Sequence, residues 1–202
     1  MEPVTRISGR ALAFPFGNVD TDQIVPARFL YRKRREGFAD TLFHDLRADP
    51  EGRPLADFPL NKPESAGAAI LVALDNFGCG SSREHAVWAL CDAGYRCVIA
   101  ISFGDIFRNN AIENGLLPVA LAAAAVDQVL ALLQSAPEKS LLVDLPEQCV
   151  DLPDGRRFTF EIDSAAKENL LLGRGRIGET LTLSGEIDRF EQAYRERFPW
   201  SP

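Results

Sequence analysis

The segment from Asp75 to His85 reads Asp-Asn-Phe-Gly-Cys-Gly-Ser-Ser-Arg-Glu-His and brings hydroxyl, thiol, guanidinium and imidazole groups together. An apolar run at residues 68–74 precedes it and predicts a buried strand, and apolar residues at helical spacing follow it as far as Gly94. We therefore expect a strand-to-helix turn that places Ser81 to Arg83 on the first helical turn. Free N–H groups at a helix N-terminus, together with a guanidinium, suit a carboxylate. The segment predicts an anion site.

A structural interpretation of the same residues stays open. Ser81 followed three positions later by Glu84 is the pattern of a capping box, in which both side chains only close the start of the helix. The glycines do not form a nucleotide motif, because Arg83 stands where the dinucleotide fingerprint requires its third glycine. Local sequence alone does not separate capping from ligand binding.

Composition limits the function. The chain has 202 residues, of which 46% are hydrophobic and 25% charged, and we expect a single domain over residues 1–202. Its net charge of −7 argues against nucleic-acid binding. The sequence contains no apolar run long enough for a membrane span and does not begin like a signal peptide. The expected compartment is the cytoplasm.

The four cysteines and two histidines are a poor set of metal ligands. No Cys-x-x-Cys pair occurs, and we therefore expect no metal or iron–sulfur cluster held by this chain. Cys79 differs from the other cysteines because it lies inside the glycine-rich segment, where a helix N-terminus would favour its thiolate. We interpret it as a neighbour of the site, with a role as nucleophile as the less favoured alternative.

The order of patterns predicts an α/β fold. Strand and helix patterns alternate as βαβαβα over residues 68–133, which indicates a mostly parallel sheet with crossover helices. A β-rich section follows over residues 141–162, and an amphipathic helix is predicted at about residues 186–198. Residues 31–67 predict a long irregular connection with one short helix.

Two further stretches could contribute to a site. Asp22 lies in the sequence Asn-Val-Asp-Thr-Asp, where an Asx-turn or a helix cap is the simpler interpretation. Five cations follow within eight residues: Arg28, Arg32, Lys33, Arg34 and Arg35. Such a run is usually a solvated face, although it could also steer anions or meet an acidic partner.

Three segments together resemble a known family. Residues 18–30, 76–90 and 103–117 are similar to motifs of the small subunits of 3-isopropylmalate dehydratase, in the aconitase superfamily, and they occur in the order typical of that family. The resemblance implies a swivelling β/β/α domain and a hydro-lyase that isomerises 2-isopropylmalate and 3-isopropylmalate by dehydration and rehydration in leucine biosynthesis. It also implies a dicarboxylate substrate and a large subunit that carries a [4Fe–4S] cluster.

The resemblance also implies residue roles. Ser81 aligns with the catalytic serine of the superfamily. The expectation for His85 comes from spacing instead: a helical offset of two residues turns it away from Arg83, which favours a structural role over direct catalysis. The residues expected to bind or orient the substrate are Gly80, Ser82, Arg83, Thr21 and Asp22. The loop expected to determine specificity comprises Arg28, Phe29, Leu30, Tyr31 and Arg32.

The exact substrate stays open at this stage. Residues 29–31 could line a pocket for an isopropyl group, whereas Arg28 or Arg32 could bind a third carboxylate, as in a homoaconitase. Val87 and the glycine-rich residues 173–178 depart from the expected pattern. Related hydro-lyases acting on citraconate, 2-methylmalate or dimethylmalate are alternatives, and a non-catalytic anion-binding or assembly module is an alternative of another class.

Overall fold

The computed structural model describes residues 1–200, and its framework is one seven-stranded sheet in the order β4-β3-β2-β1-β5-β6-β7. The strands are β1 Arg6–Ala13, β2 Ile70–Val72, β3 Cys97–Ala100, β4 Leu117–Ala120, β5 Ser140–Asp144, β6 Cys149–Asp151 and β7 Arg157–Thr159. The helices are α1 Thr21–Ile24, α2 His44–Arg47, α3 Glu84–Asp92, α4 Asp105–Glu113, α5 Ala123–Ser135, α6 Ser164–Leu172, α7 Arg176–Thr182 and α8 Ser184–Arg197.

Strand β1 joins two halves of the sheet that differ in direction. Its end pairs in parallel with β2, with Ala11 opposite Ile70, and β2, β3 and β4 continue that parallel half. Its beginning pairs antiparallel with β5, with Ile7 opposite Val143, and β5, β6 and β7 continue as an antiparallel meander. The α/β prediction is confirmed, and the β-rich section forms the antiparallel half of the same sheet.

The two faces of the parallel half pack into separate hydrophobic clusters because strand side chains alternate. Ile70 and Val72 point into the cluster covered by α5 and α6, whereas Leu71 points into the cluster that contains α3, α4 and parts of the 31–67 connection. This second layer holds the glycine-rich segment.

Residues 31–67 are irregular but well packed. They contain α2 and four short 3₁₀ segments, which are Arg34–Glu36, Ala39–Thr41, Pro59–Asn61 and Pro63–Ser65; a further one, Ala27–Phe29, precedes them. Phe38, Leu42 and Leu46 have apolar spacing typical of a helix, but only Leu46 lies in α2. Phe38 and Leu42 are fully buried in turns instead. Tertiary packing, rather than helical periodicity, explains these apolar residues.

The serines at the start of two helices do not cap them. Helix α4 has Gly104 as its N-cap, and the hydroxyl of Ser102 instead accepts a hydrogen bond from the Asn76 N–H at 2.8 Å. Helix α6 is capped by Asp163, which accepts from the N–H groups of Ala165 and Ala166, at 2.9 and 3.1 Å.

The C-terminal helix α8 carries the predicted apolar stripe, and none of its residues is buried. The rings of Phe190 and Tyr194 stack at 5.8 Å, and those of Tyr194 and Phe198 lie 4.9 Å apart. Gly173 belongs to residues 173–178, which depart from the expected family pattern. It ends α6, and the backbone of Met1 lies beside it. Over residues 1–200, no helix has the length and apolar character needed to cross a bilayer.

Candidate functional site

The glycine-rich segment leaves β2 and is fixed on both sides by the other two motifs. On one side, the Gly78 N–H donates to the Val19 carbonyl at 2.7 Å. On the other, the Gly104 N–H donates to the Phe77 carbonyl at 2.9 Å. The three segments that carry the family resemblance therefore meet at the end of β2, as expected for a site at the carboxyl ends of parallel strands.

Glycine is required at position 78 of this segment. Gly78 has a φ of 73°, and a Cβ atom there would lie 2.2 Å from Cγ of Phe107. Gly80 also has a positive φ, of 88°. Because residues with a side chain rarely adopt such angles, these glycines allow the chain to turn against α4 before it reaches Ser81.

The prediction that residues 81–83 form the first turn of the helix was wrong. Helix α3 begins at Glu84, and Arg83 is its extended N-cap, with φ −138° and ψ 103° and no capping side-chain bond. Glu84 instead accepts a hydrogen bond from Asn114 Nδ2 at 2.9 Å. The capping-box interpretation of Ser81 is therefore excluded, and Ser81 and Ser82 are exposed ahead of the helix.

A capping box does occur at α1, with Asp20 as its N-cap. The Gln23 N–H donates to Asp20 Oδ1 at 2.8 Å, and the Asp20 N–H donates to Gln23 Oε1 at 3.0 Å. The helix cap in this stretch is therefore Asp20 and not Asp22. The Asp22 carboxylate is left available for another partner.

That partner is Arg83. Asp22 accepts a salt-bridging hydrogen bond from Arg83 Nη1, which also lies 3.5 Å from the Val25 carbonyl oxygen. The Arg83 side chain is only 14% exposed, whereas that of Asp22 is 52% exposed. Both described bonds use Nη1, so Nη2 and Nε of this largely buried guanidinium remain for a ligand. Asp22 fixes the guanidinium, as a residue that orients a carboxylate-binding arginine would.

Thr21 holds the backbone beneath Ser81. It is buried, its hydroxyl donates to the Ser81 carbonyl oxygen at 2.8 Å, and its N–H donates to the Cys79 carbonyl at 2.9 Å. The structure thus brings Thr21, Asp22, Gly80, Ser81 and Arg83 together. Thr21 acts on the main chain, which sequence reasoning did not anticipate.

Cys79 does not have the environment expected of a reactive thiolate. Helix α3 begins five residues later, so no helix N-terminus stabilises a negative charge at Cys79. Burial raises the pKa of this thiol, and the nearby Asp20 carboxylate raises it further. The nucleophile alternative is therefore disfavoured. Among the side chains that the structure describes, no three of His, Cys, Asp or Glu are grouped so as to hold a metal ion.

His85 belongs to an aromatic cluster rather than to the polar group. Its ring centroid lies 4.7 Å from that of Trp88 and 5.4 Å from that of Phe38. Burial lowers the pKa of His85; Glu84 opposes this effect, and Arg83 adds to it. The packing supports the structural interpretation of this residue.

The basic stretch is largely neutralised by carboxylates of this chain. Arg28 Nη1 lies 2.6 Å from Asp45 Oδ2, and this hydrogen bond lowers the pKa of Asp45 to about 2. Arg32 Nη1 lies 2.5 Å from Asp40 Oδ1. Arg34 pairs with Asp92. Three of the five cations of the predicted solvated face are therefore neutralised by ion pairs within this chain.

Two of those arginines, Arg28 and Arg32, also pack against Phe29 of the predicted specificity loop. The Arg28 and Arg32 guanidinium carbons lie 4.7 and 5.5 Å from the Phe29 ring centroid. Phe29 packs against the second core cluster, while Tyr31 is 93% exposed. The sequence did not reveal Asp40, Asp45 and Asp92 as partners of these arginines. Only Asp92 gave a signal, because an acidic residue is unfavourable at the C-terminal end of a helix.

The chain is similar to known protein families and relatives over nearly its whole length. A model described as the aconitase C-terminal domain matches residues 1–124, and one described as LeuD_N matches residues 127–164. The chain is 49% identical over 200 residues to the 3-isopropylmalate dehydratase small subunit of Phenylobacterium zucineum, covering 99% of this chain and 98% of the relative. It is 48% identical to the small subunit of Chloroflexus aurantiacus, over 96% of each chain.

The chain belongs to the family of 3-isopropylmalate dehydratase small subunits. A solved structure of 3-isopropylmalate dehydratase (LeuD) from Methanocaldococcus jannaschii superposes with a TM-score of 0.65 at 28% identity, covering 92% of this chain and 99% of that one. The resemblance inferred from the three motifs is confirmed, and with it the aconitase-type fold. A family of small subunits implies a larger partner subunit.

Proposed function

We propose that this chain is the small subunit of a heteromeric hydro-lyase that interconverts 2-isopropylmalate and 3-isopropylmalate in leucine biosynthesis. The observation that carries the proposal is the exposed Ser81, whose carbonyl is held by Thr21, close in sequence to an Arg83 guanidinium held by Asp22. The reaction fits the cytoplasm, where free cysteines stay reduced.

Ser81 is the proposed group that takes a proton from carbon and returns it. An ordinary hydroxyl is a poor base, so its alkoxide needs nearby positive charge and N–H donors. Arg83 supplies positive charge two residues away. We assign Nη2 and Nε of Arg83, with the Ser82 hydroxyl and the Gly80 backbone, to one substrate carboxylate.

The departing hydroxyl requires a Lewis acid, which in this proposal is a [4Fe–4S] cluster on the large subunit. In this division the cysteines of this chain hold no cluster, and two of them, Cys97 and Cys149, are buried in the sheet. Closure of the two subunits would exclude water from Ser81 and Arg83.

The ion pairs of the basic stretch favour an apolar third substituent on the substrate. Arg28 and Arg32, the candidates for a third carboxylate, already pair with Asp45 and Asp40. Replacing these partners by a ligand would leave two carboxylates unpaired. Residues 29–31 offer apolar surface instead, which suits an isopropyl group better than the carboxylate of a homoaconitase substrate.

The test uses the complex with the large subunit, purified without oxygen and assayed with 3-isopropylmalate, citraconate and a homocitrate-type acid. We expect turnover of 3-isopropylmalate and a loss of kcat of at least about a thousandfold in Ser81→Ala, because the proton acceptor is removed. Ser164→Ala, at an exposed hydroxyl on α6, is the matched control and should keep full activity.

Other outcomes would redirect the proposal. Turnover of a different acid would keep the hydro-lyase and replace the substrate. Full activity in Ser81→Ala would exclude the proposed role of Ser81 and favour a non-catalytic anion-binding or assembly module.

A further inference from the structure

Residues 25–38, which we call the arc, begin and end against the segment that carries Arg83. At the start of the arc, the Val25 carbonyl lies within reach of Arg83 Nη1. At its end, Phe38 is fully buried, and its ring lies 5.4 Å from that of His85. The predicted specificity loop therefore lies between two attachment points on the same motif.

Asp92 makes the strongest attachment at the end of the arc. Its Oδ2 accepts from Arg34 Nη1 at 2.7 Å and its Oδ1 from Arg34 Nη2 at 2.8 Å, a two-point ion pair. Oδ2 also accepts the Phe38 backbone N–H at 2.8 Å. One carboxylate thus holds both a side chain and the main chain of the arc.

The location of Asp92 argues that this attachment is its main contribution. It is the last residue of α3, where the helix dipole disfavours a negative charge, so it does not stabilise the helix itself. Its side chain is only 19% exposed, which makes the pair stronger than a fully solvated one. The Arg34 guanidinium also lies 5.3 Å from the Trp88 ring centroid on α3.

The attachment at Phe38 extends back to the exposed loop. The Arg32 guanidinium lies 5.9 Å from the Phe38 ring centroid and 5.5 Å from that of Phe29. Tyr31, at the exposed part of the arc, has little packing of its own. Its position is therefore set by its anchored neighbours on either side.

We propose that Asp92 is a positioning residue that fixes residues 29–32 relative to Arg83 and so tunes selection of the apolar substituent of the substrate. This inference rests on the proposed function. It assigns a substrate-selecting effect to a side chain on the far end of α3, which does not itself contact the substrate.

The test compares Asp92→Asn with wild type in the complex. Asparagine has one acceptor oxygen and presents an NH2 group to the guanidinium, so the two-point pair is lost. We expect KM for 3-isopropylmalate to rise about fivefold to tenfold, kcat to stay within about twofold, and the preference over citraconate to fall. Arg34→Gln should have a similar effect, and the double variant should be no worse than Asp92→Asn alone.

A matched control and a substrate-free measurement complete the test. Asp151→Asn removes the pair with Arg157, at 2.5 and 2.9 Å on the antiparallel half, and should leave both kinetic constants unchanged. In the full chain alone, trypsin should cleave after the exposed Lys33 and Arg35 faster in Asp92→Asn than in either wild type or Asp151→Asn.

The outcomes separate the two proposals. Unchanged cleavage would overturn the attachment itself. Faster cleavage with unchanged KM and preference, or an equal fall in kcat for every acid, would overturn the effect on substrate selection. A wild-type complex inactive on 3-isopropylmalate would overturn the proposed function, while cleavage would still report whether Asp92 holds the arc.

Discussion

The arc and the C-terminal helix α8 have similar patterns in sequence and opposite environments in the structure. Both combine charged residues with spaced apolar ones. In the arc and the turns after it, Phe38 and Leu42 are fully buried, and three arginines pair with carboxylates. In α8 no residue is buried, and the ion pair between Arg195 and Glu191 lies within the helix itself. Apolar spacing predicts that a surface can be buried, but the fold decides whether this chain buries it.

The comparison predicts a large difference between two phenylalanines. Phe38→Ala should reduce the free energy of unfolding by about 3–5 kcal/mol, because the ring is fully buried against His85 and Trp88. Phe190→Ala, at a ring that is 68% exposed, should change it by no more than about 0.5 kcal/mol. Urea unfolding followed by circular dichroism measures both. Equal losses would show that α8 is packed as firmly as the arc.

Local patterns predicted the framework of the fold but only part of the site. The alternating strands and helices of residues 68–133 have signals within a few residues of each other, and they were found. The start of α3 was misplaced because the position of Arg83 depends on Asp22, sixty-one residues away in sequence. The partners of Arg28, Arg32 and Arg34 were missed for the same reason. A charge run does not show which carboxylates the fold will bring to it.

The His85 side chain offers a pH-dependent test of the arc. Burial against Phe38 and Trp88 lowers its pKa in the folded state below 6.5, so the unfolded chain binds the proton more readily. The contribution of this group is complete above pH 6.5 and is lost as the pH falls through 6.5 towards the folded-state pKa.

The measurement compares wild type with His85→Gln, because their difference removes the acid sensitivity of the other groups. The free energy of unfolding of wild type should fall more between pH 7.5 and pH 5.5 than that of His85→Gln. Phe38→Leu, which loosens the packing around the imidazole, should reduce the difference. If the two proteins lose stability in parallel, His85 is solvated and the end of the arc is less firmly packed than the structure indicates.

The smallest effect is expected from removing α8 altogether. Deletion of residues 184–202 should change the free energy of unfolding of the remaining domain by no more than about 0.5 kcal/mol, because α8 buries no side chain.

Deletion from residue 164 is the contrasting variant, since it also removes the fully buried Leu170 and the hydrogen bond from the Val4 N–H to the Leu170 carbonyl at 2.8 Å. That deletion should cost several kcal/mol, about the loss of one large core side chain or more. Circular dichroism is the suitable probe, because the shorter deletion also removes Trp200 and would alter the fluorescence signal. A large loss on removing α8 alone would mean that its apolar stripe is covered by this chain, and the contrast with the arc would then be wrong.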